Sequence, residues 1–527
     1  MVFKRSLGRY AILFAAIGGM VGSGWLLGPF NAAKVAGPAA IISWPLAGIL
    51  MLFIAYTFIV LTKTLPIAGG TVRFLQISHG HFVGFTFSWI AWLAWVSVTP
   101  IEVLAVLQYT ATYIPSLMHK VNGSAELTLR GFECAVVLMV LMYLINIGGI
   151  KILSRANNAV VFFKLAIPII TLFVLFFLRF HPENFVAQGG FMPLGVKGIL
   201  ASLPTAGVIY ALIGFNPAVQ LAAEVKDPEK SIAFAIIGAI LTCIVLYTLL
   251  QVVFIGALVP SDYAHGWGNL SFVSDTGPFA GMIMALGLVW YVKLLYLDAV
   301  VSPFGTAMIQ AAATGRLTYG MAKNHYLPEF LTQLNPRQSP AIALAFNILI
   351  GFLFFLPFPS WQKMVGFLVS CLSIGYVVGP MSLVTLKRAM PELAKKYSVT
   401  RVQVMSLIAF YVCNLIIFWA GWSIIYKVMI AFAVGYVLLI FYAIFSRAEN
   451  KIKLEFKRGW WAIPYVVGLG VISYLSSYGG INVIHFGWDF VIMGIFTLAI
   501  FYLAQYLSGQ ADAIADTKHR FEACLSQ

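Results

Sequence analysis

The stretch Gly18-Gly19-Met20-Val21-Gly22-Ser23-Gly24 interrupts an otherwise apolar run over residues 10–35. Four glycines in seven residues weaken a helix by about 0.8–1 kcal/mol each relative to Ala. Two readings are open: small residues that let helices pack closely, or a helix broken at its centre. A second weak centre favours the break. Residues 200–223 carry Gly207 and then Gly214-Phe215-Asn216-Pro217. Pro217 lacks an N–H and clashes with the preceding turn of a helix. One lone kink would be ordinary. Two breaks five apolar segments apart are the pattern of inverted five-helix repeats, and paired interruptions are the best sequence pointer to a binding site at the bilayer midplane.

The rest of the chain is consistent with a membrane protein. Of 527 residues, 61% are hydrophobic and 10% charged, and the mean hydropathy is +0.92. Soluble domains are about 45–50% apolar and about 25% charged. This composition excludes a soluble enzyme, a nucleic-acid-binding protein and a disordered chain. Segments of about 20 apolar residues can span a bilayer. We place them near 10–35, 39–62, 83–113, 131–148, 155–179, 200–223, 232–257, 281–312, 341–357, 362–386, 403–419, 424–445, 460–478 and 486–507. Those fourteen leave no room for a separate soluble domain. With the N-terminus inside, most Lys and Arg fall on the cytoplasmic side, in clusters such as Lys4-Arg5-Arg9, Lys387-Arg388 and Lys457-Arg458. The positive-inside rule then puts both termini in the cytoplasm. The net charge of +15 faces anionic lipid and needs no polyanion partner. The expected domains are a transporter core over 1–390, with repeats near 10–180 and 200–390, extra helices over 391–510 and a cytoplasmic tail over 511–527.

No catalytic constellation is visible. The five cysteines are scattered without a C-x-x-C, so neither disulfide framework nor metal site is expected. His79 and His81 flank Gly80 without a further ligand, which reads as a solvated cytoplasmic face. No G-x-x-x-x-G-K-[ST] occurs, so transport would be secondary rather than ATP-driven, with no cofactor. Met1 to Arg9 is a short basic start, and the apolar run after it is too long and Gly-rich for a signal peptide.

The two breaks suit one ligand class. A half-helix starting near Ser23 points free N–H groups and a positive dipole end into the gap, which favours a carboxylate. Half-helices ending near Gly19 and Ala211 point free carbonyls there, which favour an ammonium. An α-amino acid satisfies both.

At these residues the chain resembles the amino acid–polyamine–organocation superfamily. Gly19-Met20-Val21-Gly22-Ser23-Gly24-Trp25-Leu26 is similar to its first-helix G-[ST]-G motif, and Leu65-Pro66-Ile67-Ala68-Gly69-Gly70 to the P-x-x-G-G after span two. Ile213-Gly214-Phe215-Asn216 with Glu224-Val225-Lys226-Asp227-Pro228 resembles the sixth-helix signature. Arg316-Leu317-Thr318-Tyr319-Gly320-Met321-Ala322-Lys323 with Leu327-Pro328 resembles the signature after span eight. Within the superfamily the chain looks most similar to the fourteen-span branch that includes aspartate–proton symporters. The resemblance implies an all-α, LeuT-type 5+5 inverted repeat, helices 1 and 6 discontinuous, working by alternating access. It puts the substrate backbone on Met20, Ser23 and Gly24, an aromatic gate at Tyr210, and an ammonium-receiving carbonyl at Ile213. Val21, Gly22, Ala211, Gly214, Asn216, Thr99, Glu102 and Gln310 complete the implied pocket. Asn216 stands where the family often has Glu, so a role for that Glu does not carry over.

Two charges lie deep in spans. Lys164, mid-way along span five, costs about 2.5–3.5 kcal/mol at a helix centre. The resemblance sets it beside the first-helix break, as a proton-coupling group or as a fixed structural cation. Glu102 in span three carries a proton, selects a basic side chain, or sits neutral in a local hydrogen bond, since desolvation disfavours its charge. Lys293 and Asp298, five apart, do not share a helix face; either they line the outer vestibule, where Lys293 attracts an acidic substrate, or they are snorkelling or paired charges. The leading expectation is proton-coupled symport of an acidic or small neutral amino acid. An amino acid exchanger, a polyamine carrier and a non-transporting sensor stay open, as does the oligomeric state.

Overall fold

The computed structural model describes residues 5–67, 70–121, 124–148, 150–270, 277–391, 399–445 and 454–525. Ala68 and Gly69 of the second motif lie outside them. The chain begins with α1 (Arg9–Met20) and α2 (Ser23–Ala36), which split the first apolar segment at Val21-Gly22. The bundle continues with α3 (Ala40–Thr64), the short α4 (Gly70–His79), α5 (His81–Thr110), α6 (Leu129–Asn146) and α7 (Ile150–Arg179). A hairpin, Met118–Val121 against Ser124–Leu127, joins α5 to α6. The sixth segment is α8 (Gly195–Thr205), a 3-10 turn over Tyr210–Phe215 and α9 (Asn216–Gln220). Next come α10 (Pro228–Gly256), α11 (Pro278–Met284), α12 (Val289–Lys323), α13 (Ala341–Leu353), α14 (Trp361–Tyr376) and α15 (Val378–Ala389). The last part holds α16 (Val399–Trp419), α17 (Trp422–Phe445), α18 (Phe456–Gly459), α19 (Ala462–Leu475), α20 (Trp488–Ser508) and α21 (Ala511–Leu525).

Each predicted apolar segment coincides with helix. Among the described residues, ten helical stretches are long and apolar enough to cross a membrane, or eleven with the bent sixth segment. The smaller number has physical causes: α1 is short and residues 23–64 form one near-continuous stretch, and α13 and α19 have only 13 and 14 residues.

The sixth segment breaks earlier than its Asn-Pro pair suggests. The helix is interrupted at 206–209 and its two parts diverge by 44°. Gly207 has φ +87°, and a Cβ there would lie 2.7 Å from the Trp361 ring. Pro217 instead occupies the first turn of α9, where its missing N–H costs nothing. The eighth segment also differs. Gly287, at φ +74°, lies in the turn between α11 and α12, and α12 runs on through the motif at Arg316–Lys323.

In the core, α5 packs along α12 and α14, α3 along α10, and α1 is wedged among α10, α7, α12 and the Tyr210–Phe215 turn. The end that carries both termini is closed by polar contacts. Ser6 and Leu7 N–H groups donate to the Glu224 carbonyl at 2.8 and 2.9 Å, and the buried Arg316 Nε meets Glu224 Oε1 at 3.0 Å.

Residues 511–525 of the segment read from sequence only as a tail form α21, which docks on α4. Thr517 Oγ1 donates to the Ser78 carbonyl at 3.3 Å and Arg520 Nε to Ile77 at 3.1 Å. Arg520 also pairs with Glu455 at 2.5 Å, whose other oxygen accepts the His81 N–H at 3.1 Å. Arg458 pairs with Asp512 at 2.6 Å and with Asp516. This cover corrects the solvated reading of the histidines. His79 is 4% exposed and its ring meets Trp461 edge-on at 5.8 Å. Burial, helped by the Arg520 charge, lowers the His79 pKa to about 3. His81 is half-buried.

Candidate functional site

The break between α1 and α2 leaves carbonyls on one side and N–H groups on the other, as any helix end does. Named side chains meet groups on both sides. Lys164, on α7 and 0% exposed, donates from Nζ to the Gly18 carbonyl at 2.6 Å and to Thr306 Oγ1 at 2.7 Å. Thr306 donates in turn to the Gly18 and Val21 carbonyls at 2.8 and 3.0 Å. The Met20 carbonyl accepts from Tyr247 at 2.8 Å, and Gln310 Nε2 reaches Gly19 at 3.4 Å. These contacts offset the desolvation of a buried amine.

On the N–H side, Ser23 donates its backbone N–H to Glu102 Oε2 at 2.9 Å. The Tyr210 hydroxyl donates to Glu102 Oε1 at 2.7 Å. The Glu102 side chain therefore fills the anion position that the α2 N-terminus creates. Trp361 donates from Nε1 to Ser23 Oγ at 2.9 Å and meets the Tyr210 ring edge-on at 5.9 Å. The two aromatics lie over the break. Asp298, 0% exposed, accepts from Trp25 Nε1 at 3.1 Å and from Ser302 at 2.6 Å, so it anchors the second half-helix. The shared vestibule expected for Asp298 and Lys293 is not formed: Asp298 faces Trp25, whereas Lys293 is exposed.

Glycine is required where backbones and side chains converge. A Cβ on Gly22 would lie 2.6 Å from both Glu102 Oε1 and Thr306 Oγ1. A Cβ on Gly214 would lie 2.3 Å from the Gly19 carbonyl carbon and from the Met20 nitrogen. The two broken segments thus cross backbone against backbone. Gly24 lies against Ala211, with 2.8 Å between its would-be Cβ and the Ala211 Cβ.

The predicted set therefore falls into two groups. Met20, Val21, Gly22, Ser23, Gly24, Tyr210, Ala211, Glu102, Lys164 and Gln310 converge on the break. Thr99 is buried one turn from Glu102 along α5. Ile213 departs from expectation: its carbonyl already accepts the Asn216 N–H and the Tyr376 hydroxyl at 3.5 Å, because the turn there is 3-10. Asn216 is 1% exposed, and among the described residues neither its Oδ1 nor its Nδ2 has a partner; Gln310 Oε1 is likewise unpaired. Leaving such a group buried and unpaired costs about 1–3 kcal/mol, a cost that a polar ligand or water at this position recovers. Sequence reasoning missed Trp361 and Tyr247 as site residues, since each sits far along the chain from the break it serves with no local pattern to mark it; Thr306 stands out in the sequence only as a polar position on span eight.

Comparison with known proteins gives the family. The family model described as amino acid permease matches residues 7–501. The chain is 37% identical to the glutamate/serine transporter AimA of Bacillus subtilis (strain 168), over 98% of this chain and 96% of that protein. It is 32% identical to the aspartate-proton symporter of the same organism, over 96% of each. It is 24% identical to the branched-chain amino acid permease BcaP, also from that organism, over 85% of this chain and 94% of the relative. The permease match over nearly the whole chain, with many apolar helices around a broken pair, makes this a multi-pass membrane transporter of amino acids rather than an enzyme, and the chain belongs to the amino acid permease family, within the amino acid–polyamine–organocation superfamily.

Proposed function

We propose that the protein is a proton-coupled symporter of an acidic or small neutral amino acid, working by alternating access at the break between α1 and α2. The observation that carries this reading is the Glu102 carboxyl bound to the Ser23 N–H. A substrate α-carboxylate needs the same N–H, so it enters by displacing Glu102. Two carboxylates cannot both stay charged in so small a dry space. Glu102 therefore moves aside as the neutral acid, and a proton is taken up with the substrate. Lys164, between the Gly18 carbonyl and Thr306, is the second coupling group, since it answers to charge changes on the other side of the break. The names of two relatives matched along nearly their whole length, a glutamate/serine transporter and an aspartate-proton symporter, support both the substrate class and the coupling.

The reading includes the architecture. Fourteen apolar segments, breaks in the first and sixth, and the Lys and Arg distribution support a LeuT-type 5+5 core over 1–390, four further spans over 391–510 and cytoplasmic termini. Substrate release toward the cytoplasm requires the contacts among Arg316, Glu224 and Leu7 to open.

Uptake into proteoliposomes tests the function. Labelled glutamate, aspartate, serine, leucine and arginine are offered with and without an inward proton gradient. Accumulation of an acidic or small neutral substrate only with the gradient is expected. Gradient-independent exchange, or accumulation of arginine alone, overturns the proposal.

A further inference from the structure

The outer end of α12 carries a feature that transport at the break does not use. Trp290, Lys293, Leu297 and Val300 follow at spacings that put them on one helix face. Trp290 is 63% exposed, Leu297 51% and Val300 37%, and Lys293 is exposed between them. The opposite face, with Tyr291, Leu295, Asp298 and Ser302, is buried. An exposed apolar helix face in a membrane protein meets lipid, so Lys293 stands on the bilayer side of α12.

Its depth follows from helix geometry. Thr306 touches the carbonyls of the midplane break. Thirteen residues farther along a helix rising about 1.5 Å each, Lys293 lies about 20 Å from that level. The hydrocarbon half-thickness is about 15 Å, so the ammonium reaches the headgroups.

It does not lie on a flat surface. A cavity of 340 Å³ opens there, lined by Tyr109, Tyr113, Lys293, Tyr296, Leu297 and Val300 among others. The aromatic wall is fixed. Tyr296 meets Tyr113 at 4.9 Å and Tyr109 at 6.0 Å, both edge-on. Tyr296 donates its hydroxyl to Thr112 at 3.2 Å, and Tyr109 donates to the Leu26 carbonyl of α2 at 3.3 Å. The Tyr113 side is 63% exposed. Among the described residues Lys293 has no carboxylate partner. The groove thus offers an ammonium and a phenol hydroxyl at headgroup height, above apolar walls that face lipid. An acidic amino acid arriving from water satisfies the charge but leaves the apolar walls unfilled.

We propose that this groove between the ends of α5 and α12 binds one anionic glycerophospholipid. Its phosphate lies on Lys293 and Tyr113, and its acyl chain follows Leu297 and Val300. Because Tyr109 joins the groove wall to α2, the bound lipid steadies the half-helix that carries the Ser23 N–H.

The test compares wild type, Lys293→Gln, Lys293→Arg and Tyr113→Phe, each purified from bilayers of mixed phosphatidylglycerol and phosphatidylcholine, with co-purified lipid counted by native mass spectrometry. Wild type and Lys293→Arg are expected to retain phosphatidylglycerol. Lys293→Gln is expected to lose its preference over phosphatidylcholine about five-fold, which is the ~1 kcal/mol one basic side chain gains at an anionic headgroup. Tyr113→Phe should lose less. Melting curves in detergent confirm that each variant is folded, and Lys293→Arg reports on charge if the Gln variant is not. Equal retention by wild type and Lys293→Gln overturns the proposal. So does displacement of the retained lipid by soluble aspartate or glycerol 3-phosphate, which would make the groove a site for a water-borne anion. Both readouts are independent of uptake, so a different transport mode leaves them unchanged.

Discussion

Glu102→Gln keeps the shape of the side chain that caps the Ser23 N–H and removes its charge. The wild-type side chain accepts from Ser23 at 2.9 Å and from Tyr210 at 2.7 Å. Hydrogen bonds to a charged group contribute about 1.5–3 kcal/mol, and neutral ones about 0.5–1.5 kcal/mol. Only the Ser23 bond has to be given up to an incoming carboxylate. Neutralising the internal competitor therefore lowers the cost of displacing it by about 1–1.5 kcal/mol, which is roughly five- to ten-fold in affinity. The variant should bind glutamate, aspartate or serine more tightly than wild type near neutral pH. Wild-type affinity should rise as the medium is acidified and approach that of the variant, whose own affinity stays flat. Proton-driven accumulation should be lost, because the variant has no proton to take up at this position. Titration calorimetry or scintillation proximity on the purified protein between pH 5 and 8 reads all three. A folded Glu102→Gln that binds no acidic or neutral amino acid, or that keeps the wild-type pH dependence, refutes the displacement argument. Loss of arginine binding in the variant would assign Glu102 to a basic side chain instead.

Lys164→Ala withdraws the donor from the Gly18 carbonyl and Thr306; concentrative uptake should collapse while counterflow exchange persists, and undiminished gradient-driven uptake would remove Lys164 from the coupling. Gly24→Val pushes a branched side chain into the 2.8 Å approach to Ala211, an overpacking that costs about 1–3 kcal/mol. Binding should be abolished in a protein that still elutes as a single folded species, with Gly24→Ala intermediate; wild-type affinity in Gly24→Val refutes the position of the substrate backbone. His79 has its pKa lowered to about 3 by burial, so between about pH 3 and 6.5 the unfolded chain binds a proton that the folded chain refuses. Stability should fall as pH drops below about 6.5, on the order of 1 kcal/mol per unit, and thermal unfolding of His79→Gln should lose that slope.

What the sequence made legible follows from what it writes locally. The glycine run at 18–24 marks a break because glycine acts on its own backbone, and the break lies where that run predicts. Lys164 stands out because a lone charge in an apolar run has few reasons to be there. The sixth segment was harder. Pro217 drew attention to residues 214–217, yet a proline in a first turn is harmless, and the actual interruption depends on Gly207 and on the Trp361 ring packed over it. Trp361, Tyr247 and Thr306 act through partners more than 200 residues away in sequence, and no periodicity announces such pairs. The histidines misled for the same reason. His79 looks solvated beside Gly80, and is dry because Trp461 and the Arg520-bearing helix arrive from the far end of the chain.

The docking of α21 on α4 also sets a timetable. Arg520 and the Ile77 carbonyl it holds are 443 residues apart. At a ribosomal pace of about 5–20 residues per second, roughly 20–90 s separate their appearance. Through that interval α4 has been made and its neighbours α5 and α9 follow, while the helix that brings Arg520 to it does not yet exist. The cover of the imidazole is complete only when both Trp461 and Arg520 have been made. A chain cut before residue 511 would therefore lack the Arg520 contact with α4 and leave His79 more open to a hydrophilic histidine reagent than the intact protein does.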